Sequence, residues 1–234
     1  WQRARVAVQE ADLIIVLGTD HSGSPGSVTL TRQSYGTPWG ELPTDTGLVD
    51  RLAGILGEER AFQEESHHIG EHSIELAAVW LHYMADRKPK RLLPVLCGSH
   101  EPVLLANGVD AAPVWEAIAL LAEVASRSQV LVVAAGDLSH VGPAFGDPSP
   151  IADADRARVR SWDEWWLDAA CSGSSDLLKD LILEHGDPTR ICGSAPIHYL
   201  TAILGKARGR MITYDQCPAD ELGSFVSVTG VLYQ

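Results

Sequence analysis

The sequence has few cysteines, no long apolar run and no run of basic residues, and each of these absences excludes a class of protein. Its four cysteines lie far apart and form no CxxC pair, which argues against a disulfide scaffold or a closed zinc site. No apolar stretch approaches the roughly 20 residues that cross a bilayer. With 18 basic and 31 acidic residues the formal net charge is −13, so we expect neither nucleic acid nor an anionic membrane as a partner. These features are typical of a cytoplasmic protein.

The 234 residues, of which 45% are hydrophobic, are sufficient for one sizeable α/β domain over 1–234. Apolar runs rich in β-branched residues predict buried strands at 12–18, 91–98 and 129–137. Helical patterns between these runs favour a mostly parallel central sheet with helices on both faces. Helices are predicted over 2–11, 46–56 (after a cap at Thr44 or Asp45), 71–87, 113–127, 155–170, 175–185 and 195–207, and further strands over 27–33, 209–216 and 224–233.

Three strand ends share one pattern, in which an apolar run ends in glycine and a histidine follows within a few residues. The histidines are His21 in "VLGTDH", His100 in "LCGSH" and His140 in "AAGDLSH". Because ligands of doubly wound sheets bind at the carboxyl ends of the strands, these side chains are candidates to converge on one site. Taken singly, each histidine is more simply interpreted as a solvated or hydrogen-bonded loop residue.

The stretch "GDLSH" places Asp137 three residues before His140, across a tight turn. A carboxylate that holds one nitrogen of an imidazole fixes the tautomer of the other, which helps a general base or a metal ligand. The alternative is that Asp137 caps the turn that follows it.

The segment "SHHIGEHSIE" concentrates ionisable side chains at the start of a predicted helix: His67, His68, Glu71, His72 and Glu75. It contains no HExxH pattern and therefore matches no zinc signature of that kind. On the spacing alone, a role in a site and a structural hydrogen bond are equally open for His72.

The cysteine with polar neighbours is Cys217, in "TYDQCPAD", at the end of another predicted strand. Cys97 and Cys192 lie in apolar surroundings, which are typical of buried thiols that act as small hydrophobic side chains. The pattern by itself leaves both a structural and a functional role open for Cys217.

Seven short motifs, taken in order, resemble the Memo-like family, whose bacterial members are often called AmmeMemoRadiSam system protein B. The motifs are "VLGTDHSG", "YGTPWGELPTD", "GEHSIELAAVWL", "LLPVLCGS", "VVAAGDLSHVG", "RICGSAPI" and "YDQC". Together they extend from residue 12 to residue 217. That family is structurally related to the class III extradiol dioxygenases, which use non-haem iron, so the resemblance implies an α/β fold of the same kind.

The resemblance also implies roles for individual residues. It makes His21 and Cys217 expected metal ligands, and Asp137 and His140 expected catalytic groups that orient ligands or move protons, with His72 as a further catalytic residue nearby. The family has another metal-binding histidine, in a motif like Pro-His-Ala-Gly-Tyr on an upstream strand. We expect that strand and its histidine to be missing from residues 1–234.

One departure from the family concerns the turn after the first strand. This chain has "GTDH" where relatives commonly have "GPSHH", so Asp20 replaces a small residue and Ser22 replaces a second histidine. Two histidines with one carboxylate are typical of Fe(II) sites, whereas two histidines with a thiolate suit copper or zinc. Iron, copper and zinc are therefore the candidate cofactors.

The function expected from these residues is that of a metal-dependent redox enzyme in which His140, oriented by Asp137, moves a proton. One alternative is a non-catalytic protein that binds a small molecule or a peptide in the same pocket. Another is a partner of AMMECR1-like and radical SAM proteins in a modification system, which the family name alone suggests.

Overall fold

The centre of the molecule is a strand made entirely of buried residues. In the computed structural model, which describes residues 1–105, 111–127 and 129–234, this strand runs from Leu13 to Thr19. Its sequence, LIIVLGT, contains no charged side chain, and a parallel strand lies on each side of it. A strand covered on both faces and paired at both edges has no contact with water, which explains its uninterrupted apolar character.

The described residues form the following elements in chain order. The strands are β1 Leu13–Thr19, β2 Val28–Leu30, β3 Tyr35–Thr37, β4 Gly40–Leu42, β5 Arg91–Cys97, β6 Val130–Ala135, β7 His140–Val141, β8 Gly209–Pro218 and β9 Phe225–Tyr233. The helices are α1 Arg5–Glu10, α2 Thr46–Leu56, α3 Glu58–Phe62, α4 His67–Gly70, α5 His72–Met84, α6 Glu101–Leu105, α7 Ala112–Ala125, α8 Asp153–Cys171, α9 Ser175–His185 and α10 Ser194–Leu204. Short 3-10 turns lie at Gln2–Ala4 and Pro143–Phe145.

The central sheet has the strand order β2-β5-β1-β6. Strands β5, β1 and β6 are parallel, and the short β2 is antiparallel to β5. The expected fold class, α/β with a mostly parallel sheet and helices on both faces, is confirmed. The parallel arrangement brings the ends of β1, β5 and β6 to one edge of the sheet, because Gly18 is in register with Leu96 and with Ala135.

Alternate side chains of β1 enter two different hydrophobic clusters. Leu13, Ile15 and Leu17 face α2, α7 and α10, whereas Ile14 and Val16 face α1, α5 and the β3–β4 hairpin. This follows from the two-residue period of a strand. The two layers of helices therefore cover opposite faces of the same sheet. Residues that follow β1 can contact helices of either layer.

A second sheet with the order β7-β9-β8 carries the end of the chain next to the central sheet. The predicted strands at 209–216 and 224–233 are its two long members, and they pair in an antiparallel way. The two-residue strand β7 begins at His140, so this sheet starts from the turn that follows β6.

The sequence predicted the long elements better than the short ones. Asp45, one of the two residues predicted to cap α2, is its N-cap and accepts a hydrogen bond from the Leu48 amide at 3.0 Å. The strand predicted over 27–33 is reduced to three residues, and the short helices α3 and α4 and the β3–β4 hairpin were not predicted. Within the described part of the chain, no helix has both the length and the apolarity that crossing a membrane requires.

The imidazole of His68 gives a prediction about stability and pH. Tyr35 Oη donates a hydrogen bond to His68 Nδ1 at 2.7 Å, and His68 Nε2 donates to the Thr29 carbonyl at 3.1 Å, a pattern that needs the neutral ring. Burial lowers the pKa of His68 to about 4. Because the unfolded chain binds this proton near pH 6.5, the contribution to stability is present above that pH and is lost as the pH falls toward 4.

We expect wild-type protein to lose about 2 kcal/mol of unfolding free energy through this group between pH 7.5 and pH 5. In His68→Gln that part of the pH dependence should disappear, measured as the difference between urea unfolding free energies at the two pH values. The exposed His185→Gln is the matched control and should retain the wild-type difference. An unchanged difference in His68→Gln would contradict this role.

Candidate metal centre at the ends of the central strands

The ends of β1 and β6 lie side by side, and each has a glycine where another segment of the chain packs closely against it. A Cβ atom on Gly18 would lie 2.5 Å from Ile74 Cγ1 of α5, and one on Gly136 would lie 2.6 Å from the Gly193 Cα. Neither position has room for a larger residue. The glycines therefore allow α5 and the segment before α10 to contact the end of the sheet.

The first cluster of metal-ligand side chains consists of His21, Glu71 and His72. His21 follows β1, and Glu71 precedes α5. Glu71 Oε1 lies 3.0 Å from His21 Nδ1 and 3.4 Å from His72 Nδ1. The two imidazoles are stacked, with ring centres 4.9 Å apart and an angle of 18° between their planes. One carboxylate thus faces the same nitrogen of two adjacent rings.

The carboxylate of Glu71 is held rigidly in this position. It is only 7% exposed, and it accepts hydrogen bonds from the backbone amide of His21 at 3.0 Å and from the Ser73 amide at 3.1 Å. Burial opposes its ionisation, but the hydrogen bonds from His21 and Ser73 outweigh burial and lower the pKa of Glu71. Glu71 is also the N-cap of α5, where the helix dipole favours a negative charge. The cluster therefore contains an ionised carboxylate at neutral pH.

The aspartate that replaces a small family residue has a structural role in the same turn. Asp20 is 5% exposed and accepts hydrogen bonds from the Ser22 amide at 3.1 Å and from His67 Nδ1 at 3.0 Å. The hydrogen bond to Asp20 raises the pKa of His67. With Glu64 these two residues form a further group of ligand type, but their oxygens and nitrogens already bond to one another or to the turn at Ser24. Asp20 fixes the turn that presents His21.

The second cluster consists of Asp137, His140 and Cys192. His140 Nε2 lies 3.5 Å from Asp137 Oδ1, so the predicted pairing of these two residues is present. The Cys192 thiol donates a hydrogen bond to the same Asp137 oxygen. Burial and then the Asp137 charge raise the pKa of Cys192 to about 12, so the thiol is protonated at neutral pH.

The tautomer of His140 follows from its contacts. Its Nδ1 lies 2.9 Å from the Leu138 carbonyl oxygen and 3.1 Å from the Arg190 carbonyl oxygen. Carbonyl oxygens only accept hydrogen bonds, so Nδ1 carries the proton. Nε2 of the neutral ring then faces the Asp137 carboxylate as a second acceptor. This arrangement is satisfied when a proton or a cation lies between the two groups.

Sequence reasoning missed Cys192, which it assigned to apolar surroundings. The thiol belongs to a segment whose backbone is tied to both strands: Thr19 Oγ1 donates to the Cys192 carbonyl at 2.8 Å, and the Gly193 amide donates to the Asp137 carbonyl at 2.8 Å. The one signal in the sequence was the motif "RICGSAPI". Its cysteine precedes Gly193, which must be small because it packs closely against Gly136.

Two predicted residues lie apart from these clusters. Cys217 is exposed on β8, in register with Val226 of β9, which is in turn in register with His140 of β7. Cys217 and His140 therefore share one face of this sheet, with one strand between them, and metal ligation by Cys217 stays a prediction. His100 does not converge with His21, because it contacts His198 and Tyr199 on the opposite face of the central sheet.

The donor set fits a metal ion of the kind that the motifs suggest. Metal-bound histidines usually donate their second nitrogen to a carboxylate or a carbonyl, which orients the ring. Glu71 faces Nδ1 of both His21 and His72, so Nε2 of each ring is the nitrogen left for a metal. With Glu71 as the orienting group, this cluster supplies two histidine ligands. A carboxylate as a third ligand would be typical of non-haem Fe(II), whereas a thiolate would favour copper or zinc.

The comparison with known families decides the relationship of the whole chain. The family described as "Memo-like protein" matches residues 4–231. The chain belongs to the Memo-like family. The motifs that carried the resemblance are thus part of a match over almost the full length of this Memo-like chain.

Several archaeal proteins named "MEMO1 family protein" are similar to this Memo-like chain. The protein from Thermococcus onnurineus is 29% identical over 157 residues, which are 65% of this chain and 51% of that protein. The protein from Methanosarcina acetivorans is 25% identical over 226 residues, covering 94% of this chain and 74% of that protein. The match therefore spans about half the length of the first relative. An uncharacterised Escherichia coli K12 protein of known structure matches with a TM-score of 0.49 and 16% identity, covering 98% of this chain and 90% of that one.

The contact between Cys192 and Asp137 predicts the reactivity of the thiols in this Memo-like chain. At pH 7.5 iodoacetamide should modify the exposed Cys217 first and Cys192 much more slowly, because only the thiolate reacts. Asp137→Asn removes the neighbouring negative charge and should accelerate modification of Cys192 at least fivefold, an order-of-magnitude expectation from a pKa that falls toward its ordinary value. Peptide mass spectrometry measures both rates, and Cys217 is the internal control. An unchanged Cys192 rate in Asp137→Asn would contradict the assigned hydrogen bond.

Proposed function

We propose that this Memo-like chain is a metal-dependent oxidoreductase whose metal is bound by Nε2 of His21 and His72. The observation that carries the proposal is the buried carboxylate of Glu71, which faces Nδ1 of both rings. The hydrogen bond from His21 Nδ1 to Glu71 keeps that ring in the tautomer that leaves Nε2 free for a metal. The same carboxylate lies 3.4 Å from Nδ1 of His72. Because Glu71 already accepts hydrogen bonds from His21 and Ser73, we assign it the role of orienting the ligands.

The remaining ligands are expected from other parts of the protein. Cys217 lies on the same face of its sheet as His140, and ligation by its thiolate would shift the preference from iron toward copper or zinc. The apolar strand β6 pairs with β1 alone among the described strands, and its side chains are half buried. A further strand at this edge would cover them, which supports the expectation that a histidine on such a strand completes the site.

His140 and Asp137 are the groups that we assign to proton transfer. The Nδ1 proton of His140 is held by two carbonyl oxygens, so a proton from a substrate would be accepted at Nε2. Asp137, 3.5 Å from that nitrogen, would stabilise the imidazolium. A bound iron or copper ion would supply one-electron redox chemistry, whereas zinc would act only as a Lewis acid. The chemical class of the substrate is a small molecule or a peptide that reaches this edge of the sheet.

The metal ligands are tested by anaerobic titration of the full chain with Fe²⁺ against a chromophoric chelator. We expect wild-type protein to bind one equivalent, His21→Ala to lose it, and Glu71→Gln to bind 10 to 100 times more weakly, since loss of an orienting group has effects of about that size. Glu75→Gln changes an exposed carboxylate on the same helix and should bind like wild type. Equal affinities of wild-type and His21→Ala protein would contradict the assignment.

The enzymatic part of the proposal is tested separately, by oxygen uptake of the iron-loaded protein with ascorbate as the reductant. Loss of a proton-transfer group slows turnover by about 100-fold or more. His140→Gln is therefore expected to retain its iron, while its rate of oxygen uptake falls by about 100-fold or more. Iron binding without oxygen uptake in the wild type would instead favour the non-catalytic binding protein.

A further inference from the structure

A group of buried polar side chains on the other face of the central sheet takes no part in the proposed centre. His100 lies between β5 and α6, and His198 and Tyr199 lie on α10. They are 4%, 1% and 1% exposed, respectively. Each is in ring contact with the other two, and Trp115 of α7 contacts His198 and Tyr199 edge to face.

Each of these three side chains has a polar atom with no hydrogen-bond partner among the described residues. The atoms are Nε2 of His100, Nδ1 of His198 and Oη of Tyr199. Leaving a buried polar atom unpaired is unfavourable, so three in one cluster are not explained by packing. Native proteins pair nearly all such groups, which indicates that this cluster binds something.

The chemistry of the three atoms limits what is bound. Burial lowers the pKa of His100 to about 3 and that of His198 to about 4, so both rings are neutral at physiological pH. His198 also donates a hydrogen bond to the Ser175 backbone, and because its Nδ1 is the unpaired atom, Nε2 is the donor. Nδ1 therefore carries an unpaired lone pair, as in a histidine that is available to a metal.

The distance between the two rings matches one shared metal ion. The centres of the His100 and His198 rings are 5.2 Å apart. A zinc–nitrogen bond of about 2.05 Å places the metal about 3.2 Å from each ring centre, so a tetrahedral angle separates the centres by about 5.2 Å and a linear arrangement by about 6.4 Å. The observed spacing is that of the tetrahedral case.

We propose that His100 Nε2 and His198 Nδ1, with Tyr199 Oη as a third donor, bind a divalent transition-metal ion of tetrahedral preference such as Zn²⁺. This second site lies on the face covered by α7 and α10 and shares no residue with the centre at His21. Coordination by the phenol oxygen would release its proton, which reduces the charge enclosed in the apolar surroundings. The helices α7 and α10 and the end of β5 would then be held together by one ion.

The test is a Zn²⁺ titration of the full 234-residue chain against a chromophoric chelator, with Mg²⁺ as the negative control ion. We expect one equivalent of Zn²⁺ that persists in His21→Ala and is lost, or weakened at least tenfold, in His100→Phe and in His198→Phe, with no such site for Mg²⁺. His82→Phe is the matched control, because His82 is a buried histidine with an unpaired Nε2 but contacts no second imidazole among the residues that the structure describes. It should bind like wild type.

Persistence of this equivalent in His198→Phe, or its absence from His21→Ala, would overturn the second site. X-ray absorption of the zinc-loaded His21→Ala protein needs no substitution in the buried cluster and is therefore independent of any folding defect. It should show two imidazole ligands at about 2.0 Å, and a spectrum without imidazole would overturn the proposal. If His21→Ala binds Fe²⁺ as tightly as wild type, the proposed function is refuted. The second site is still supported in that case, provided that the zinc equivalent is lost in His198→Phe.

Discussion

The contact on which the candidate centre depends is the one between the Glu71 carboxylate and the turn that follows β1. One buried side chain begins α5 as its N-cap, bonds the His21 backbone amide and faces Nδ1 of two imidazoles. The same carboxylate therefore caps the helix and orients the proposed ligand. The cap position favours an ionised carboxylate, and the ionised carboxylate accepts the hydrogen bond from the His21 ring.

This contact requires the helix to lie very close to the end of the strand. Gly18 provides the space, since any side chain there would collide with Ile74. Ser73 Oγ adds a hydrogen bond to the Thr19 carbonyl at 2.9 Å, and Thr19 in turn bonds the segment that carries Cys192. The ends of β1, β6, α5 and the segment before α10 are thus connected through a few short polar contacts above an apolar core.

Much of the architecture could be predicted from the sequence because it depends on local patterns. The uninterrupted apolar runs identified β1, β5 and β6, and the glycines at their ends identified the functional edge of the sheet. The pairing of Asp137 with His140 followed from their spacing. The position of His100 did not, because tertiary packing decides on which side of the sheet a residue after a strand lies. His100 packs against His198 and Tyr199 of a much later helix. Cys192 and Glu71 were missed as members of the site for a related reason: one lies 55 residues from Asp137, and the other 50 residues from His21.

His21 and His72, with Glu71 as the orienting carboxylate, are the proposed ligands of a metal at the end of β1. Anomalous diffraction at the iron edge from crystals loaded anaerobically with Fe²⁺ would test this assignment most directly. We expect a single strong peak at this edge of the sheet, within bonding distance of Nε2 of both imidazoles and not of their Nδ1 atoms. A fully loaded crystal whose peak lies elsewhere, or whose two rings bind through Nδ1 with Glu71 displaced, would contradict it.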